Sequence, residues 1–124
     1  MHLLLIALMA AITSFSFVYS SQTAFAGQII WNVTSRYPYT AQIKFFSRSR
    51  NVEWPRPGMA WELNDYKTKT FKLNCNKGEK VCYGAWDTGT PSTYWGVGGN
   101  KHACSDCCRI CSEEGTTANT TLVK

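Results

Sequence analysis

The sequence predicts a small all-β domain, an antiparallel β-sandwich or barrel with a disulfide-rich C-terminal segment. Three observations lead there. Short runs of alternating apolar and polar residues recur along the chain, separated by Gly, Pro, Asn and Asp. No run sustains a helical period over several turns. Six Cys fall within 124 residues, a density at which covalent links supplement a thin core.

The first 26 residues contain no Lys, Arg, Asp or Glu, so all 13 basic and all 8 acidic side chains lie in residues 27–124, with the whole net charge of +5. That length suits one domain, and a composition 44% hydrophobic and 14% aromatic excludes permanent disorder. Leu3 to Ile12 (LLLIALMAAI) is an unbroken apolar run, and Ala24-Phe25-Ala26 places small residues before Gly27. This is the pattern of a secretory signal peptide, although only Met1 and His2 precede the apolar run, where a basic segment is usual. An uncleaved membrane anchor is the alternative, opposed by Thr13, Ser14 and Ser16. The expected organisation is a signal peptide at 1–26, one disulfide-stabilised β domain at 27–111 and a flexible, Ser/Thr-rich tail at 112–124. A secreted or periplasmic location follows, with no stable membrane span after signal cleavage.

Along the mature chain, Gln28 to Thr34 is the first strand candidate. Tyr39 to Ser47 alternates most clearly, with Ala41, Ile43 and Phe45 on one face and Thr40, Gln42 and Lys44 on the other. Arg48 to Gly58 reads as a loop, because Pro55 and Pro57 cannot donate to a ladder and Gly58 permits a turn. Met59 to Leu63 is a short strand candidate. Lys67 to Cys75 alternates again, with Phe71, Leu73 and Cys75 opposite Thr70, Lys72 and Asn74. Val81 to Trp86 and Tyr94 to Val97 complete five or six short strands, spaced as in a sandwich or barrel.

The cysteines carry the most information. Cys75 and Cys82 flank Asn-Lys-Gly-Glu-Lys-Val between two strand candidates, so a disulfide across a hairpin base is expected. Closing so short a loop is worth about 2.5 kcal/mol. Cys104, Cys107, Cys108 and Cys111 form a second group spaced i, i+3, i+4, i+7, which a helix would gather on one face. Three readings stand. The group is a disulfide-locked turn or short helix, tied internally or to the Cys75–Cys82 hairpin; or its thiolates hold a soft metal such as Zn or Cu(I); or a Cys-x-x-Cys pair exchanges with partner disulfides. The first is preferred, with no metal or other cofactor. Four ligands on eight residues reach a tetrahedron poorly, and no βαβ unit precedes the Cys-x-x-Cys. Neighbouring Cys107 and Cys108 lie too close along the chain to bond each other easily. His102 could join a metal site but reads better as a solvated loop residue.

Five Trp follow the leader. Trp31 and Trp86 are expected in the core, while Trp54, beside Pro55 and Arg56, and Trp95, beside Tyr94, are surface candidates. Arg48, Arg50 and Arg56 concentrate in one loop. Aromatic faces stack on sugar rings, and clustered cations meet anionic surfaces, so Arg48, Arg50, Trp54, Arg56, Tyr94 and Trp95 form the candidate binding surface. No catalytic residue is expected. After the leader there is one His, no activated-nucleophile motif and no carboxylate pair singled out by spacing; Gly96-Val-Gly-Gly99 lacks the Lys-Ser/Thr of a phosphate loop.

Gly78-Glu-Lys-Val-Cys-Tyr-Gly-Ala-Trp86, Tyr94-Trp-Gly-Val-Gly98 and the closing Cys-x-x-Cys-Cys-x-x-Cys resemble a group of small exported, cysteine-rich bacterial proteins of unassigned function. The resemblance spans about residues 28–111, implies a bacterial, extracytoplasmic home and carries over no site residue. The functional expectation is a binding module at the cell envelope or outside the cell, with an envelope glycan, an anionic surface or an extracellular protein as partner and no nucleic acid. The alternatives are a soft-metal or thiol-redox protein using the C-terminal cysteines, and a cationic antimicrobial or enzyme inhibitor.

Overall fold

A computed structural model describes residues 12–17 and 26–124; most of the expected signal peptide lies outside the described residues. The described chain forms no helix. Its strands are β1 (Gly27–Ser35), β2 (Ala41–Ser47), β3 (Glu53–Trp54), β4 (Trp61–Leu63), β5 (Lys69–Cys75), β6 (Lys80–Asp87), β7 (Tyr94–Gly96), β8 (Cys108–Ile110) and β9 (Thr116–Leu122). The fold is all-β, as the alternation predicts.

Two sheets form. The smaller has the order β5-β1-β9, and the larger is built on the antiparallel pair β2–β6. Short β3 and β4 lie end to end along the free edge of β2, pairing Phe45 with Trp54 and Ile43 with Trp61. In the same way β7 and β8 share the other edge of β6, opposite Ala85 and Val81. Inward residues of both sheets make one core: Ile29, Trp31 and Val33 from β1, Phe71 and Leu73 from β5, Ala41, Ile43 and Phe45 from β2, Val81 and Ala85 from β6. Trp31 lies across this interface, its ring 5.0 Å from Phe45. The period-two pattern of β2 and β5 therefore encodes the face each strand turns to its partner sheet.

Residues 112–124 are not a tail. β9 lies parallel to β1, pairing Ile29 with Thr116 through Ser35 with Leu122, and every other strand pair is antiparallel. Ala118 and Leu122 are buried in the main core, and Thr120 Oγ1 accepts from Trp31 Nε1 at 2.8 Å. Threonine favours a pleated, half-buried surface, and Ala118 and Leu122 hold the inward positions that bulkier residues hold elsewhere. The domain thus runs to Leu122 rather than to Cys111.

The cysteine pairing departs from the hairpin expectation. The bonds are Cys75–Cys111, Cys82–Cys108 and Cys104–Cys107. The turn through Gly78 (φ 82°) carries the chain from one sheet to the other, so β5 and β6 are not a hairpin. Cys75 faces the core between the sheets. Cys82 alternates with Val81 and Tyr83 and faces the outer side of the larger sheet. There, with Phe46, Val97 and Cys107, it forms a second, small core. Residues 104–111 are a turn running into β8 rather than a helix, and their four cysteines enter three different disulfides.

Candidate functional site

The six residues of the sequence-defined surface do not share one face. Arg50 turns back to Glu79, which is buried; Arg50 Nη2 donates to Oε1 at 3.0 Å and Nε donates to Oε2. Ser47 Oγ donates to the same carboxylate at 2.8 Å and the Asn76 amide at 3.1 Å. Burial alone would push the Glu79 carboxyl up, but the Arg50 guanidinium and these donors together hold it below the ordinary carboxylate range. Its contribution to stability is therefore fully present above the ordinary glutamate value of about 4.3 and is lost as pH falls through the lower, folded value. With Arg50 one-third exposed, Arg50→Ala is expected to cost about 2 kcal/mol at neutral pH. Denaturant melts should show that cost shrinking below about pH 4. A pH-independent cost would show that the guanidinium acts by packing alone.

Trp54 is half-buried against the main core, held there by the pairing of β3 with β2. The neighbouring Glu53 accepts from Lys44 Nζ at 2.5 Å. Arg56 is exposed: its Nε lies 2.7 Å from Met59 Sδ, and its carbonyl accepts from Lys44. Trp95 also packs on the core, edge-on to Tyr37 at 4.8 Å, and its Nε1 donates to the Val123 carbonyl at 2.8 Å.

Arg48 and Tyr94 are brought toward one another, through residues of the Gly-rich turn. Gly98 (φ 56°) allows the chain after β7 to fold back, so that the amides of Lys101 and His102 donate to the Val97 carbonyl. The turn crosses β6 so closely that a Cβ on Gly84 would lie 1.8 Å from the Gly98 carbonyl oxygen. His102 is thereby laid flat on Tyr94, ring centroids 3.7 Å apart and 5° from parallel. Trp86, expected in the core, alternates with Ala85 and so faces outward; it is half-buried, and its Nε1 donates to Gln42 at 3.0 Å.

Two adjoining clefts result. One, of about 230 Å³, is lined by Trp86, Pro91, Tyr94, Gly99, Lys101 and His102. The other, of about 500 Å³, is lined by Arg48, Lys80, Asn100, Lys101, His102 and Ala103 together with Cys104 and Cys108. Lys101 and His102 belong to both, and no carboxylate lines either. Trp86, Lys80, Lys101 and His102 were not singled out as binding residues. For Lys101 and His102 the available signal is the stretch Tyr94-Trp-Gly-Val-Gly-Gly-Asn-Lys-His102, a tight turn that returns a ring and a cation to the strand before it. Lys80 and Trp86, on β6, join them only through sheet packing.

A third cleft, beside Tyr37, Tyr39 and Asp87, has its carboxylate already paired. Tyr37 donates to Asp87, whose other oxygen accepts from the amides of Gly89 and Thr90 at 2.7 and 2.9 Å. That hydrogen bond, with burial, pushes the Tyr37 hydroxyl up to about 12.

Cys82, Cys107 and Cys108 place their sulfurs within 4.8 Å of one another, with all three residues in disulfides. Among the described residues no helix is long and apolar enough to cross a membrane. Comparison with protein-family models, with curated proteins and with solved structures finds no match to this chain.

Proposed function

We propose that the protein is a disulfide-stabilised binding module that works outside the cytoplasm, at the envelope or beyond it, and takes an acidic glycan in the paired clefts. The observation that carries this reading is the junction at Lys101 and His102, where an aromatic cleft opens into a basic one with no lining carboxylate. A sugar ring needs a flat apolar face with polar edges, which Trp86 and the Tyr94–His102 stack provide. A uronate or sulfate needs charged donors at the next position, which Lys101, Lys80 and Arg48 provide. The extracytoplasmic setting is supported by the uncharged apolar leader and by three disulfides in a small domain. Binding rather than catalysis fits two open clefts that contain no carboxylate pair and no activated nucleophile.

Titration with oligo-uronates and sulfated oligosaccharides, with neutral glucans as controls, tests the reading. Acidic oligosaccharides should bind and neutral ones should not, with affinity falling as salt rises. A hydrogen bond to a charged group is worth about 1.5–3 kcal/mol, so Lys101→Ala should weaken binding about tenfold or more. Trp86→Ala should weaken it as well, whereas Arg56→Ala should leave it unchanged. Absence of acidic-glycan binding, or equal affinity in the Lys101→Ala and Trp86→Ala proteins, would overturn the proposal.

A further inference from the structure

The cysteines that line the basic cleft are not used by glycan binding, and their placement supports a separate chemistry. Cys104 and Cys108 open onto the cleft, whose cations are Arg48, Lys80 and Lys101, while their disulfide partners Cys107 and Cys82 are buried behind them. Cys107 Sγ lies 3.8 Å from Cys108 Sγ, although the two belong to different disulfides. Asp106 Oδ1 lies 3.6 Å from the Cys104 sulfur, and the three cations outnumber that carboxylate. A cationic surround favours the approach of an anionic thiolate to Cys104 and the later departure of a thiolate from Cys108, which lines it.

We propose that Cys104–Cys107 is an exchange site for small anionic thiols, and that Cys82 is shared between Cys108 and Cys107 once that bond opens. An incoming thiolate attacks Cys104 Sγ; a mixed disulfide forms, the Cys104–Cys107 bond breaks, and Cys107 keeps the electron pair. Attack by Cys107 on its chain neighbour would require a vicinal disulfide. Cys82 Sγ, within 4.8 Å, is the other sulfur in reach. Cys107 attacks it, Cys82–Cys107 forms, and Cys108 leaves as a thiolate into the basic cleft. Cys108 then attacks Cys104, forming Cys104–Cys108 and returning the small thiolate. The number of disulfides is conserved, and nothing is oxidised or reduced overall.

The test uses the full chain with its disulfides intact. It is exposed without oxygen to reduced glutathione, which is anionic, or to cysteamine, which is cationic, at matched thiolate concentrations. Samples are quenched with acid and their disulfides mapped by peptide mass spectrometry. Glutathione is expected to modify Cys104 first and about tenfold or more faster than cysteamine at low salt, with the ratio falling toward one at about 1 M salt. Cys82–Cys107 and Cys104–Cys108 pairs should then accumulate. First opening at either other disulfide, or a glutathione rate no greater than that of cysteamine, would overturn the exchange site. Cys82–Cys108 persisting unchanged after Cys104 is modified would overturn the sharing. In Cys104→Ser, Cys82 should be found bonded to both Cys107 and Cys108; the wild-type mapping decides the matter if that variant does not fold. Neither result depends on whether a glycan binds.

Discussion

Trp31→Ala is expected to destabilise the domain by about 3–5 kcal/mol, the range for deleting a fully buried large aromatic. Trp31 is completely buried at the middle of β1 and pairs with Phe71 of β5 on one side and Ala118 of β9 on the other. Its ring meets Phe45 at 5.0 Å and Tyr83 at 5.9 Å, both from the opposite sheet. No neighbour is free to fill the space, because each is held by its own strand. Domains of this size have about 5–15 kcal/mol in total, so the loss takes a large share and should lower Tm by about 15 °C or more. Trp31→Phe separates the two contributions. It keeps most of the ring contact but removes the N–H given to Thr120, and should cost about 1–2 kcal/mol. Urea melts check both. A Trp31→Ala protein within 1 kcal/mol of the parent would contradict the burial described above.

Replacing both Cys75 and Cys111 by Ala is expected to cost about 4 kcal/mol, whereas replacing both Cys104 and Cys107 should cost less than half of that. The difference is one of chain entropy. Cys75 and Cys111 are 36 residues apart and Cys104 and Cys107 only 3, and the unfolded chain is restrained more by the longer closure. The long link also joins the β5 edge of the smaller sheet to the segment that enters β9, so its loss loosens both neighbours of β1. Denaturation midpoints of the two double variants make the comparison. The reverse order would mean that the local Cys104–Cys107 link, rather than the long one, secures the fold. A small cost for Cys104–Cys107 is what an exchange site requires, because opening it must leave the rest of the domain standing.

The inward faces of β2 and β5 were legible because a pleated strand places alternate residues on opposite sides, and each apolar side chain reports its own environment. Ala41, Ile43 and Phe45 lie together in the core, as do Phe71, Leu73 and Cys75. β9 was not legible, because Thr116 to Leu122 has few apolar residues and its inward positions are filled by Ala118, Thr120 and Leu122. Its place depends on β1 having an open edge. The role of Arg50 was hidden for a similar reason. Its charge suggested a surface ligand, but Glu79, its partner, is 29 residues away in sequence and becomes a neighbour only when β2 and β6 pair.

By itself the sequence determined that the protein is an all-β, cysteine-linked domain rich in Trp and with a net charge of +5, since composition and period-two alternation act within a few residues. Tertiary structure alone decided which cysteines bond, which Trp face outward, and which cations share a cleft with an aromatic ring. Cys75 and Cys82 sit seven positions apart, yet on different sheets and in different cores. Arg48 and Tyr94 are far apart in sequence, yet the clefts that they line meet at Lys101 and His102. Sheet crossing and the turn through Gly98 set those distances, and both arise from packing between segments that no local pattern connects.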